Sequence, residues 1–161
     1  MRKLPLAAPT VDVVINSRLW QAEPGAESVV RRAVAETASA LSTTAGELAI
    51  VLTDDSSIRA LNRDWRGKDE PTNVLAFPSE PGPHRLLGDI VIAYETLARE
   101  ARSERKSFDH HLAHLAVHGF LHLCGYDHES DRQAATMERL ESAILARLGV
   151  PDPYIARTRG G

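Results

Sequence analysis

Between residues 118 and 128 the chain reads His118-Gly119-Phe120-Leu121-His122-Leu123-Cys124-Gly125-Tyr126-Asp127-His128. Histidines four apart on a helix project from one face, one turn above the other. Phe120, Leu121 and Leu123, with Leu115 before them, mark that helix as buried, where unpaired imidazoles are costly. Gly125 supplies a stop, because glycine readily takes the left-handed conformation that ends helices. A chain turning there can bring His128 back against His118 and His122. Two imidazoles from one helical turn and a third from the following loop fill three corners of a tetrahedron. The fourth corner is left for water, which is the ligand pattern of a catalytic zinc site holding one Zn2+ per chain. The metalloprotease pattern HExxH is absent, since Gly119 stands where the glutamate base would be.

At 161 residues the chain is long enough for one domain with a sizeable core and short for two. A formal net charge of −3 gives no global basic signature, so any nucleic acid must be held by a local patch. Cys124 is the single cysteine, which rules out an intrachain disulfide and suits a reducing compartment. It points away from His122 on the helix and is expected to be a small core residue rather than a ligand. The start has a basic head at Arg2 and Lys3, but prolines and Asp12 break the apolar run, making a poor signal peptide. No stretch is long and apolar enough to span a membrane, and a cytoplasmic location is the simplest expectation.

Strands are expected over Val11–Ile15, Leu48–Leu52, Thr72–Phe77 and Leu86–Ala93, from their β-branched and continuous apolar runs. Helical spacing runs from Glu27 to Leu41, from Ile58 to Trp65 after the capping cluster Thr53–Ser57, and from Ser130 to Leu148. Glu95–Lys106 reads as a charged, exposed helix, and Ser107 caps the histidine-bearing helix that follows. The expected class is α+β, one domain spanning 1–161, with a four-stranded mixed sheet and about five helices. Residues 1–10 and 152–161 are expected to be mobile. The first two strands are joined by a helix and can be parallel, whereas the third and fourth are linked too briefly for a crossover and should be antiparallel.

Two other stretches can carry chemistry. Arg59, Arg63, Arg66 and Lys68 gather on the second helix and the turn after it. Arg66 is the strongest candidate, at a helix corner beside Gly67, because a planar guanidinium donates two hydrogen bonds to a phosphate at once. Arg59, Arg63 and Lys68 are candidate substrate contacts, with a solvated surface as the plain alternative. Further basic residues, Arg85 and the cluster Arg99, Arg102, Arg105 and Lys106, extend the candidate patch, although Glu100 and Glu104 interrupt it. On the histidine helix, His110, His114, His118 and His122 recur every four residues. His110 is expected to be exposed, while His114 can support the site or contact substrate. Asp127 can orient an imidazole or cap the turn.

The run from His118 to His128 resembles the signature of the YbeY-type family of bacterial ribosomal-RNA maturation endoribonucleases. Trp65-Arg66-Gly67-Lys68-Asp69-Glu70-Pro71-Thr72-Asn73-Val74-Leu75-Ala76-Phe77-Pro78 resembles that family's second block, and Leu87-Gly88-Asp89-Ile90-Val91-Ile92 its third. The resemblance implies a metal-dependent, single-strand-selective endoribonuclease acting on ribosomal RNA precursors and associated with the small ribosomal subunit. It implies zinc on His118, His122 and His128, an essential Arg66 and a retained His114. The departures are Cys124, where an aliphatic residue is common, and Ala76, where serine is common. From the residues alone, two other readings stand beside it. One is a zinc hydrolase of a different substrate, and the other is a non-enzymatic ribosome-associated module with structural zinc.

Overall fold

The computed structural model describes residues 8–42, 46–80 and 86–154. Along the chain it forms β1 (Thr10–Ile15), α1 (Ala26–Leu41), β2 (Glu47–Thr53), α2 (Asp55–Arg66), β3 (Val74–Pro78), β4 (Leu86–Ala93), α3 (Tyr94–Ser103), α4 (Phe108–Leu123) and α5 (Asp131–Arg147). A 3-10 turn over Arg18–Ala22 links β1 to α1 and buries Trp20, whose indole N–H donates to the Thr53 carbonyl at 2.8 Å.

The strands form one mixed sheet in the order β1-β2-β4-β3. β1 pairs with β2 and β2 with β4 in parallel, through α1 and α2–β3 crossings respectively, while β3 runs antiparallel to β4 at the edge. The α+β class and the strand directions inferred from connection length therefore hold. Alternation along β2 and β4 divides the core between two faces. Ile50, Leu52, Ile90 and Ile92 point into the main core with α1, α4 and α5. Val91 and Ala93 meet Ile58 of α2 and Leu75 on the other face.

Local chemistry fixes the element ends. β3 begins at Val74 rather than Thr72, because the Asn73 side chain takes the Val74 N–H at 2.7 Å. Asp54, Ser107 and Ser130 cap α2, α4 and α5 through their side-chain oxygens, and Ser130 forms a reciprocal capping box with Gln133. α3 departs from expectation. It ends at Ser103 and is amphipathic, with Leu97 and Ala101 buried, and Arg105 beyond it takes a positive φ of 56°.

α4 lies at the centre. It packs on α1, α3 and α5 and on the sheet, and its contact with β4 is close at Gly119. A Cβ there would stand 2.9 Å from Ile90 Cγ2. The residue that excludes a protease-type base thus also lets the histidine helix approach the sheet.

Candidate metal centre

Ser107 starts α4, its Oγ accepting from the His110 N–H at 3.1 Å, and the helix carries His118 and His122 on its last turns. Gly125 follows with φ 97°, and the Tyr126 N–H returns to the Leu121 carbonyl at 3.0 Å. This reversal brings His128 back. The ring centroids lie 4.7 Å apart for His118–His122, 5.1 Å for His122–His128 and 5.8 Å for His118–His128. One ligand atom from each ring lies within 4.8 Å of the others. Asp127 settles its two options in favour of the turn. Its Oδ1 accepts the His128 N–H at 2.7 Å but stands 3.9 Å from the His128 ring.

The donor set fits a metal ion. His118 Nε2 and His122 Nε2 are 3.2 Å apart. Tetrahedral nitrogens around zinc at about 2.0–2.1 Å lie about 3.3–3.4 Å from one another. His118 Nδ1 donates to Glu141 Oε1 at 2.5 Å, which places that ring's proton on Nδ1 and turns the Nε2 lone pair toward the cluster. Burial lowers the His122 pKa, and the neighbouring His118 and His128 rings lower it further, favouring the neutral imidazole that binds metal. His128 is 58% exposed, so the cluster is open to solvent on that side. Among the described residues three ligands gather here and no fourth joins them. Cys124 is half-buried outside the cluster, its thiol pushed up to about 11 by burial.

Glu141 is the residue that sequence reasoning missed. It is 1% exposed on the inner face of α5, between Met137 and Leu145. One oxygen takes His118, and the other takes His114 Nε2 at 2.9 Å and the Tyr154 hydroxyl. Burial pushes its carboxyl up, but hydrogen bonds from His114 and His118 outweigh this and hold it at about 2. A charged residue at a core position of an apolar helix stripe was the available signal. His111 was missed as well. It is 4% exposed, and its Nε2 meets Glu100 Oε1 at 2.9 Å, while Asn73 Nδ2 donates to the same oxygen. Burial alone raises the Glu100 carboxyl, but these hydrogen bonds leave it below its ordinary range. Where a loose tail was expected, Asp152 accepts from Ser142, and Tyr154 reaches Glu141. Residues 1–7 and 155–161, which hold the rest of the segments expected to be mobile, lie outside the described residues.

The three histidines line one cleft of about 1200 Å3, together with His114 and Arg66. Arg66 is exposed on the last turn of α2, beside Gly67 with φ 72°, and has no ion-pair partner among the described residues. Arg59 and Arg63 do not line the cleft. They are engaged by Asp69 at 2.8 Å and Asp64 at 3.0 Å. Lys68 is exposed and outside it. Of the later basic cluster, Arg99 and Lys106 reach the cleft wall, paired with Asp55 and Glu104. His110 is half-buried away from it, and Arg85 lies outside the described residues.

Fold and site define an α+β domain in which three clustered histidines, close enough to hold a metal ion, line an open cleft. Residues 15–149 match the family model described as Endoribonuclease YbeY. The chain is 58% identical to the Endoribonuclease YbeY of Nitrobacter winogradskyi, over 92% of this chain and 83% of that one. It is 56% identical to that of Bradyrhizobium sp., over 94% and 95%. A solution structure of TM1509 from Thermotoga maritima matches 86% of this chain and 91% of that one, with 22% identity and a TM-score of 0.48. The chain belongs to the YbeY family.

Proposed function

We propose that this protein is a metal-dependent endoribonuclease that cuts single-stranded RNA in the maturation of ribosomal RNA. The observation that carries the reading is the convergence of His118, His122 and His128 in one cleft with the guanidinium of Arg66, which has no ion-pair partner among the described residues. Membership of a family whose relatives bear the name Endoribonuclease supports RNA as the substrate. Zinc is the proposed ion, since three imidazoles with a fourth position open are the ligand pattern of a catalytic zinc site. Such an ion would polarise a phosphoryl oxygen or lower the pKa of a water molecule beside it.

The chain's own residues supply the rest. Arg66 binds the phosphate through two parallel hydrogen bonds and stabilises the charge that grows on its oxygens. Glu141 holds the His118 proton on Nδ1, and His114 and Tyr154 fix the Glu141 carboxylate in turn. His114 is thus a positioning residue, acting through Glu141. The nucleophile is either activated water or the RNA's own 2′-hydroxyl, and a 2′,3′-cyclic phosphate end on the product would identify the latter. Precursor ribosomal RNA on the small ribosomal subunit is the proposed setting, in the cytoplasm. No helix among the described residues is long and apolar enough to cross a membrane.

The test is cleavage of end-labelled single-stranded RNA by wild type, His118→Ala and Arg66→Ala, purified identically. Activity in wild type alone is expected. Equal activity in all three would mark a contaminant and overturn the reading. A structural-zinc module would instead need a fourth protein ligand, which the described residues do not offer.

A further inference from the structure

Two tryptophans occupy opposite environments. Trp20 is 2% exposed with its indole N–H satisfied by Thr53, whereas Trp65 is 72% exposed, above every other exposed large hydrophobic residue described. A single exposed apolar side chain is ordinary. The position of this one is not. Trp65 lies on the last turn of α2, immediately before Arg66, and both residues line the cleft that holds the three histidines. Its ring is braced by Phe77 of β3, with centroids 5.9 Å apart and planes at 61°, an edge contact rather than face-on stacking. Bracing of this kind limits the ring's motion while leaving most of its surface in water.

Along residues 59–70 four cations face three carboxylates, Asp64, Asp69 and Glu70. Arg59 and Arg63 are paired with Asp69 and Asp64, so the basic groups beside Trp65 left without an ion-pair partner among the described residues are Arg66 and Lys68. An exposed, braced aromatic ring beside a free guanidinium is the pairing that single-stranded nucleic acids use, with a base on the ring and a phosphate on the cation.

We infer that Trp65 is a stacking platform for an unpaired nucleobase next to the phosphate held by Arg66. This rests on the ribonuclease reading and names the feature of the substrate that the cleft selects. A base in a duplex is stacked on both faces and cannot lie on Trp65, so the platform favours single strands. Stacking is tolerant of base identity, because every base has a π-face. Trp65 therefore selects strandedness rather than sequence.

The test uses the full metal-loaded chain and a short 2′-O-methyl RNA, which resists cleavage, beside an abasic strand with the same number of phosphates. Wild type, Trp65→Phe and Trp65→Ala are compared. Wild type is expected to bind the strand with bases more tightly than the abasic one. Trp65→Ala should lose roughly 5- to 100-fold on the former and little on the latter. Trp65→Phe should keep most of the affinity, which separates stacking from a fold defect. Binding of the base-containing strand should also quench indole emission in wild type, and Trp65→Ala, whose remaining indole is the buried Trp20, should not show that quenching. Equal affinity of wild type and Trp65→Ala for the base-containing strand overturns the platform, and if wild type still cleaves RNA the ribonuclease reading survives it. A wild type that neither binds nor cleaves RNA overturns both.

Discussion

Removal of the Glu141 carboxylate should weaken metal binding in a graded way that its hydrogen bonds dictate. Oε1 takes the His118 Nδ1 proton at 2.5 Å, and Oε2 takes His114 and Tyr154. In Glu141→Gln the amide oxygen can still accept from His118. The amide N–H2 then faces Tyr154 and His114, and His114 can accept it through Nε2 only with its proton on Nδ1, which is buried without a partner among the described residues. The glutamine variant thus keeps an acceptor for His118 but loses the negative charge behind it and the hydrogen bond that His114 donates. Glu141→Ala leaves His118 Nδ1 with no acceptor and frees the ring to turn. Loss of such a supporting partner costs about 10- to 100-fold in metal affinity, or about 1.4–2.7 kcal/mol. Glutamine should fall near the low end and alanine near the high end. Competition against a chromophoric zinc chelator at fixed pH measures this, with circular dichroism to confirm the fold. Wild-type affinity in both variants, or a glutamine variant weaker than the alanine one, would refute the role assigned to the carboxylate.

Gly88 has φ 137°, and a Cβ there would stand 2.2 Å from the Phe77 carbonyl oxygen, a backbone atom that cannot step aside. Gly88→Ala should therefore cost at least about 3 kcal/mol, or about 6–12 °C in melting temperature by calorimetry. The Glu100 carboxyl lies below its ordinary value of 4.5 through its bonds to His111 and Asn73. Its contribution to stability is present above that value and disappears as pH falls through the lower folded-state value. Wild type should thus exceed Glu100→Gln in urea stability at pH 6, and the gap should narrow as the pH is taken below 4.5. Raising salt should weaken RNA binding modestly, since Arg66 and Lys68 displace few counterions from phosphates, and a flat salt response would argue against that contact.

Much of this molecule was legible because periodicity and turn chemistry agreed. The continuous apolar runs of β2 and β4, the capping serines and the histidine spacing on α4 all pointed to the elements that form. The directions of β1 against β2 and of β3 against β4 followed from their connections, whereas the parallel pairing of β2 with β4 did not. What escaped was long-range. Glu141 reads as one more residue of the amphipathic α5, and nothing local says that two histidines 23 and 27 residues earlier meet it. Tyr154 looked like tail because its partner Glu141 lies on another element, 13 residues earlier. α3 looked exposed because its charges outnumber Leu97 and Ala101, the two residues that seat it. Gly119 reads only as a missing glutamate until Ile90 is seen beneath it.

The central claim is that one metal ion on His118, His122 and His128 drives RNA cleavage in the cleft. The most direct measurement strips the purified chain with a chelator, then restores zinc in fractions of an equivalent while cleavage of single-stranded RNA is followed. The account predicts a folded but inactive metal-free protein, with activity rising in proportion to added zinc and levelling at one equivalent. Undiminished cleavage by the verified metal-free chain would contradict it.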